Sequence, residues 1–254
     1  MRVATLNLLH GAAQYDQVVD LDRLADAVGS LDVDILALQE VDRGQPRSHH
    51  ADLTEVVARA VGAKSWCFLP VLVGEMLGDL RIPARGDEGP GRPAYGLSIV
   101  SRYPATRWRS LRLPGLPVSY PRRGHDPRRI VSITEEPRAA LLGEFDTPAG
   151  PLAVANAHLT FVPWSRRRQL RRLVRRLAAV PDPVLLMGDL NLAAPWPARI
   201  TGYRPLATAP TFPADRPTRQ IDHILLRGRL GAVARVSAPE LSLSDHRPLI
   251  VDLA

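Results

Sequence analysis

Short apolar runs recur along the whole chain, and between them lie a few stretches with helical spacing. Runs of four to eight apolar residues rich in branched side chains are typical of buried strands. Ten such runs predict strands, at 3–9, 34–41, 66–71, 97–101, 139–145, 152–159, 184–187, 221–226, 232–236 and 249–253. Apolar positions on one helical face predict helices at 21–31, 53–61 and 165–180. Many strands with few helices favour packed sheets flanked by helices over a regular strand–helix alternation.

Two stretches, 74–94 and 112–137, are rich in proline, glycine and charged residues, and this composition predicts loops. Between them they carry eight arginines that would suit a polyanionic substrate, or would simply be solvated: Arg81, Arg85, Arg92, Arg112, Arg122, Arg123, Arg128 and Arg129. The chain shows no internal repeat and no composition shift that would mark a boundary. We therefore expect a single domain over residues 1–254.

The 254-residue chain has a single cysteine, Cys67, which excludes an internal disulfide framework and a cysteine-based metal cluster. No apolar run approaches the roughly 20 residues of a membrane-spanning helix. The first residues have the pattern of a strand and lack the apolar core and cleavage site of a secretory signal. From these features we expect a cytoplasmic, monomeric protein.

Positive charge is in excess, with 33 Lys+Arg against 26 Asp+Glu and a net charge of +7, which suits anionic substrates. Seven of the arginines lie in the predicted helix at 165–180. Two interpretations of this helix remain open. It is either a surface helix that covers a sheet with its apolar face, or a patch that binds nucleic acid or an anionic membrane.

Carboxylate, amide and imidazole side chains stand at the ends of several predicted strands. They are Asn7, Glu40, Asn156, His158, Asp189, Asn191, Asp222, Asp245 and His246. Oxygen ligands of this kind suit Mg²⁺, Mn²⁺ or Ca²⁺, and not zinc. Glu40 is the most informative, since it follows a buried strand and a glutamate is almost never fully buried unless it is paired. Either a cation or an arginine from elsewhere in the chain would satisfy it.

Eight short segments carry a family resemblance, in this order: LNLLHG, LQEVD, GLSIVSRYP, EPRAAL, NAHLT, GDLN, IDHIL and SDHRPL. Together they resemble the endonuclease/exonuclease/phosphatase superfamily of Mg²⁺-dependent phosphoesterases, and they span Asn7 to His246. The resemblance covers DNase I-like nucleases, inositol polyphosphate phosphatases and sphingomyelinase-like enzymes. It implies an α+β fold, a four-layer α/β/β/α sandwich with two mostly antiparallel sheets flanked by helices.

The resemblance also implies a role for each residue that matches a motif. Metal ligands would be Asn7, Glu40 and Asp245. Catalytic residues would be His158, Asp189, Asn191, Asp222 and His246, with Asp222 holding the ring of His246. Phosphate-binding residues would be Asn156 and Arg138. Two questions stay open at this point: whether Asp189 or His246 is the base that activates water, and whether one metal ion or two are bound.

We therefore expect a phosphoester hydrolase that uses Mg²⁺ or Mn²⁺ (Ca²⁺ being a further candidate) and in-line attack by an activated water. The motif variants are most similar to the sphingomyelinase and DNase I-like branches, so the expected activity is that of a phosphodiesterase or phosphatase on an anionic phosphoester. The alternatives are a nuclease directed at DNA or RNA, and a non-catalytic phosphate-binding module on the same scaffold.

Overall fold

The computed structural model describes residues 1–76, 82–86, 89, 91–113, 119–123 and 130–254. The strands, numbered in chain order, are β1 (Arg2–Asn7), β2 (Ile35–Arg43), β3 (Ser65–Val73), β4 (Ile82–Pro83), β5 (Ala94–Ser101), β6 (Ala105–Leu113), β7 (Ser119–Arg123), β8 (Ile130–Thr134), β9 (Arg138–Thr147), β10 (Gly150–Ala157), β11 (Val184–Asp189), β12 (Arg204–Pro205), β13 (Asp222–Arg227), β14 (Val233–Ser237) and β15 (Leu249–Leu253). The helices are α1 (Leu21–Gly29), α2 (Leu53–Ala60), α3 (Pro163–Leu177) and α4 (Trp196–Thr201), with short 3-10 turns at Leu9–Gly11 and Pro46–Ser48.

Two large sheets form the centre of the fold. The first has the strand order β14-β15-β1-β2-β5-β3-β4, and the second has the order β12-β13-β11-β10-β9-β6. Each contains one parallel pair, β1–β2 in the first sheet and β10–β11 in the second, and the other neighbours are antiparallel. The prediction of two mostly antiparallel sheets is therefore confirmed.

Alternation along the strands divides the apolar core into three layers. Val3 and Ile35 point into the space between the two sheets, where they meet Val154 and Leu185 of the second sheet. The next residue along each of these first-sheet strands packs outward beneath α1 and α2. On the opposite side, the apolar face of α3 covers the second sheet. The order helix, sheet, sheet, helix is the predicted four-layer sandwich.

All ten predicted strands and all three predicted helices coincide with elements of the structure. The pattern missed β6, because this edge strand alternates apolar residues with exposed or half-exposed polar ones such as Arg107 and Arg109. The prediction of a loop over 112–137 was wrong in part, since β7 and β8 pair as an antiparallel hairpin within it. Among the described residues, the helices are all too short and too polar to cross a bilayer.

The strand directions bring distant segments to one edge of the sandwich. β1, β2, β10 and β11 end at this edge, while the antiparallel strands β9, β13 and β15 begin there. Residues just before or after these ends are therefore close in space although they are up to about 240 positions apart in the chain. This edge holds the candidate site.

Candidate active site

Glu40 reaches the site because β2 contains a bulge. From Leu38 to Val41 the chain of β2 advances by three residues, while its partner β5 advances by only two, so β2 contains one extra residue. Glu40 lies in this bulge and has a left-handed backbone with φ of 56°. Leu38 and Val41 consequently both pack beneath the helices. Strict alternation would have turned Glu40 toward that apolar layer as well. The extra residue instead leaves its carboxylate at the edge between the sheets.

Asn7, at the end of β1, joins the two sheets at this edge. Its amide Nδ2 donates to Glu40 Oε1 at 3.1 Å and to Asp189 Oδ2 at 3.3 Å. Its side-chain oxygen Oδ1 accepts from the backbone N–H of Leu9 at 3.1 Å, which fixes the orientation of the amide. One buried side chain thus sets the separation between a carboxylate of the first sheet and a carboxylate of the second.

Asp189 closes β11 and is almost fully buried. Its Oδ1 accepts from the backbone N–H of Asn191 at 2.9 Å, and Asn191 Nδ2 donates to the carbonyl of Leu159 at 2.9 Å. The preceding residue, Gly188, has φ of 135°, and a Cβ there would overlap the carbonyl oxygen of Ala157. Only glycine therefore lets β10 and β11 approach closely enough to set Asp189 at the end of its strand.

Asp222 and His246 form a buried hydrogen-bonded pair. His246 Nδ1 lies 2.9 Å from Asp222 Oδ2, which also accepts from the hydroxyl of Thr211. Burial by itself lowers the pKa of His246, but the charge and hydrogen bond of Asp222, followed by the charges of Asp189 and Asp245, outweigh it and raise the pKa to about 10. At neutral pH this imidazole is a cation with a proton on each ring nitrogen.

His158, which follows β10, is kept neutral. Burial first, and then the charges of Arg138 and His246, lower its pKa well below the usual value. Arg138 Nη1 lies 3.3 Å from His158 Nδ1, and a guanidinium can only donate. His158 Nδ1 therefore accepts, which leaves the single ring proton on Nε2, 3.5 Å from Asp189 Oδ2.

The pKa of Asp189 is raised to about 7, first by burial and then by repulsion from Asp222, against the opposing attraction of His246. His246 Nε2 lies 3.9 Å from its Oδ2 oxygen. A carboxylate whose pKa lies near neutrality can exchange a proton at physiological pH, which is the property of a general base or acid.

Asp245 stands at the rim and is partly exposed, with Oδ1 4.0 Å from His246 Nε2. The loop that carries it is tied to β1, since the Ser244 hydroxyl donates to the carbonyl of Asn7 at 2.7 Å and accepts from the N–H of His246 at 3.0 Å. Ser244 itself has a left-handed backbone with φ of 64°. The loop is therefore fixed so that both Asp245 and His246 face the site.

The donor set fits a divalent cation. Burial, and then repulsion from Asp245, raise the pKa of Glu40. The cationic side chains nearby therefore do not fully compensate the negative charges of Glu40 and Asp245. Among the described residues only Asn7 donates to Glu40, and it does so through Oε1, so Oε2 remains open to a ligand. Hard oxygen donors with excess negative charge are what Mg²⁺ or Mn²⁺ prefers.

A second group of possible ligands consists of Asp189, Asp222 and His246, whose ligand atoms lie within 4.8 Å of one another. Within this group His246 Nδ1 and Asp222 Oδ2 are already hydrogen-bonded to each other at 2.9 Å. The three side chains are better suited to holding and moving a proton.

Asn156 does not line the site. It is fully buried between the sheets, where its Nδ2 donates to the carbonyls of Leu38 at 2.7 Å and Ser98 at 2.8 Å. Its Oδ1 accepts from Gln39 at 2.7 Å. Both of its amide protons are thus committed to the other sheet, and the structure does not support the predicted contact of Asn156 with phosphate. Arg138, by contrast, lies beside His158.

The basic helix α3 covers the second sheet with its apolar face and exposes five of its arginines: Arg167, Arg168, Arg171, Arg175 and Arg176. Its first turn borders the site, since Arg166 donates to the carbonyl of Asn191. The first interpretation is confirmed, because the helix covers a sheet with its apolar face. That its exposed arginines bind nucleic acid or an anionic membrane stays a prediction.

Of the loop arginines, Arg85, Arg92 and Arg112 are exposed. Arg81, Arg128 and Arg129 lie outside the described residues, and only the backbone is described for Arg122 and Arg123.

Sequence analysis missed two positioning residues. Thr211 donates a hydrogen bond to Asp222. It lies in a loop whose sequence has no recognisable motif, so no sequence feature indicated this role. Ser244 lies in the SDHRPL segment, directly before Asp245 and His246. This position next to two candidate site residues could have indicated its role.

Comparison with known proteins agrees with this architecture. The model of the Endonuclease/Exonuclease/phosphatase family matches residues 4–246. No curated protein matches the sequence significantly. Among solved structures, an endonuclease/exonuclease/phosphatase from Beutenbergia cavernae superposes with a TM-score of 0.70 at 22% identity, covering 100% of this chain and 71% of that one.

Two further solved structures share the fold. Sphingomyelinase C from Streptomyces griseocarneus matches with a TM-score of 0.64 at 17% identity, covering 100% of this chain and 99% of its own. A mannosyl-6-phosphatase from Bacteroides thetaiotaomicron matches with a TM-score of 0.63 at 16% identity, with the same coverage. At such identities the likeness concerns the fold alone.

Proposed function

Since the chain belongs to the endonuclease/exonuclease/phosphatase family, we propose that it is a phosphodiesterase or phosphatase that depends on Mg²⁺ or Mn²⁺. One observation carries the proposal. The Oδ2 oxygen of Asp189 lies within 4 Å of polar atoms from three other side chains, Asn7 at 3.3 Å, His158 at 3.5 Å and His246 at 3.9 Å. A base and three donors thus converge on one buried point.

The two acid–base groups differ in a way that favours distinct roles. His246 has a pKa of about 10 and is protonated at neutral pH, so it serves as a cationic donor to a phosphate oxygen rather than as the base. Asp189 has a pKa of about 7 and can accept a proton from the attacking water. We therefore favour Asp189 as the base, with Asp222 keeping His246 charged and oriented.

His158 and Arg138 contribute donors without adding a titrating group. The Nε2–H of neutral His158 points toward Asp189 and is available to a phosphate oxygen once substrate is bound. The buried guanidinium of Arg138 fixes that tautomer through its contact with Nδ1. Donors fixed before substrate arrives stabilise the charge that develops on the phosphate without reorganisation.

Glu40 and Asp245, with Asn7 orienting the first of them, would hold the divalent cation. When bound, the cation supplies a Lewis acid that polarises the phosphoryl oxygen and offsets the negative charge of the carboxylates. The family resemblance and the donor set both support this assignment.

Hydrolysis of bis(p-nitrophenyl) phosphate and of p-nitrophenyl phosphate, with Mg²⁺, with Mn²⁺ and with excess EDTA, tests the proposal. We expect turnover of at least one ester in the presence of metal, its loss in EDTA, and a loss of about 10²-fold or more in kcat for Asp189→Asn. Turnover that persists in excess chelator would refute the metal role. Binding of phosphate without any turnover would favour the non-catalytic phosphate-binding module.

A nuclease is the second candidate, and α3 is the observation that favours it. Arg167, Arg171 and Arg175 are exposed at four-residue spacing, about 6 Å apart along the helix. A row of cations beside the site suits the phosphates of a polynucleotide. The test is DNA and RNA cleavage across a salt series, with Arg167→Gln, Arg171→Gln and Arg175→Gln combined. For a nuclease, this variant should weaken nucleic-acid binding and flatten its salt dependence while p-nitrophenyl ester hydrolysis is retained.

A further inference from the structure

A cavity of about 200 Å³ opens beside Glu40. Besides that carboxylate, its walls include His10, Arg47, Tyr95 and Glu136. An apolar cavity of about 150 Å³ is large enough to hold a benzene ring. The space beside Glu40 can therefore hold a six-membered ring with substituents, and it adjoins the site through Glu40, which belongs to both.

Strain in the backbone sets one wall of this cavity. Leu9 and His10 are consecutive and both have φ of 46°, in the left-handed region that a bulky residue such as leucine rarely adopts. Such strain persists only where the surroundings enforce it, and it concentrates at ligand sites. The strained turn carries the imidazole of His10 to the cavity. Its ring makes no hydrogen bond to any described residue, so both nitrogens remain available to a ligand.

Two charged side chains in the walls of the cavity, Arg47 and Glu136, are already paired. Arg47 donates from Nε and Nη2 to the two oxygens of buried Asp42, each at 2.8 Å. Glu136 Oε2 lies 3.3 Å from Nη2 of Arg138. A second phosphate in the cavity would face the carboxylate of Glu136, and the described walls offer no unpaired cation to hold it, which disfavours it.

Uncharged hydroxyl groups would meet better partners. The hydroxyl of Tyr95 makes no hydrogen bond to a described residue, and a phenol keeps its proton at neutral pH, so this hydroxyl is available to donate. Arg47 keeps Nη1 as a donor, while Glu136 accepts. Donors and acceptors mixed in this way match hydroxyls, because a hydroxyl both donates and accepts.

We infer that this cavity binds the alcohol part of the phosphoester and that the alcohol is a small uncharged polyol, such as a sugar-like or cyclitol ring. The inference rests on the proposed function for the phosphate end of the substrate. It adds the class of alcohol, which the catalytic residues do not determine. His10 and Tyr95 are then specificity residues that touch the alcohol.

Three esters with the same phosphate linkage test the inference, prepared both as monoesters and as methyl diesters. Their alcohols are inositol, cyclohexanol and an inositol that bears a second phosphate. We expect wild-type kcat/KM to be about tenfold or more higher for the inositol ester than for the cyclohexyl ester, because the cyclohexyl ring leaves the polar groups of the cavity walls unpaired. Tyr95→Phe and His10→Ala should each lower this preference about three- to tenfold.

Tyr15→Phe is the matched control, since Tyr15 is 72% exposed, pairs with Arg23 and is not among the residues that line the cavity. Its preference should equal that of the wild type. Equal kcat/KM for the inositol and cyclohexyl esters, or a clear preference for the inositol that bears a second phosphate, would overturn the inference.

Calorimetric binding of inositol phosphate to Asp189→Asn separates this inference from the proposed function. We expect saturable binding, weakened about three- to tenfold when Tyr95→Phe is added. If binding behaves in this way and the wild type hydrolyses none of the esters, the proposed function fails and the polyol cavity stands. If the wild type hydrolyses aryl esters and neither binding nor turnover distinguishes the polyol, the cavity inference fails alone.

Discussion

His246 Nδ1 lies 2.9 Å from Oδ2 of Asp222, and the Asp222 side chain is fully buried. The pair joins the loop before β15 to the first residue of β13, so it couples the two sheets at the edge where the site lies. Because Asp222 is the strongest of the charges that raise the pKa of His246, the carboxylate determines whether the imidazole is a cation at neutral pH.

Replacement of this carboxylate should therefore change both the rate and the titration of the ring. For Asp222→Asn we expect the pKa of His246 to fall from about 10 toward its ordinary value near 6.5, and kcat to fall about 10²-fold or more. Two-dimensional NMR of the imidazole nitrogens measures the first effect, and ester hydrolysis measures the second. Asp252→Asn, at a partly exposed pair with Arg2, is the control. A ring that still titrates near 10 would show that Asp222 does not control it.

The pH dependence of kcat/KM follows from the two perturbed groups. Asp189 must lose its proton to act as base, so the rate should rise with pH through about 7. His246 must keep its proton, so the rate should fall as pH rises through about 10. A bell-shaped profile with these limbs is expected. A higher concentration of Mg²⁺ should move the acidic limb to lower pH, because a nearby cation favours the ionised carboxylate. A rate that falls as pH rises through 7 would show that the group titrating there acts in its protonated form, and would contradict the assignment of Asp189 as the base.

Glu40→Gln tests the metal assignment with little change in shape. We expect a large loss of activity and a loss of the rise in Tm that Mg²⁺ gives to the wild type, since a ligand that binds only the folded state stabilises it. Differential scanning fluorimetry with a Mg²⁺ titration measures the second effect. Glu55→Gln on α2 serves as the control, because Glu55 forms an exposed pair with Arg59. An unchanged Mg²⁺-dependent Tm shift in Glu40→Gln would place the cation elsewhere.

Asn156→Ala should act on stability. It removes three buried hydrogen bonds between the sheets, each contributing about 1 kcal/mol, so we expect a loss of about 3 kcal/mol and a Tm lower by roughly 6–12 °C. The kcat of the folded variant should change less than tenfold. Asn191→Ala is the contrasting variant, with a smaller change in Tm and a larger loss of kcat. A selective loss of phosphate affinity in Asn156→Ala, at unchanged Tm, would restore the phosphate-binding role to this residue.

Residue patterns alone predicted packed sheets flanked by helices, because a buried strand and a sheet-covering helix each leave a local signature of spacing that does not depend on distant partners. The four-layer order was implied by the family resemblance. They also marked Glu40, Asp189 and His246 as candidates, since polar side chains at the ends of apolar strands are conspicuous. Whether the chain is one domain, how many copies associate and where it resides stay predictions.

Tertiary structure decided which of these candidates face one another and in which protonation state. The bulge in β2 turned Glu40 away from the apolar layer to which alternation assigns it, and the same pairing of sheets buried Asn156 beyond the reach of substrate. The pKa values of Asp189 and His246 depend on burial and on charges brought from other strands. Burial and electrostatic coupling act through space over a few ångströms, whereas a sequence records only neighbours along the chain.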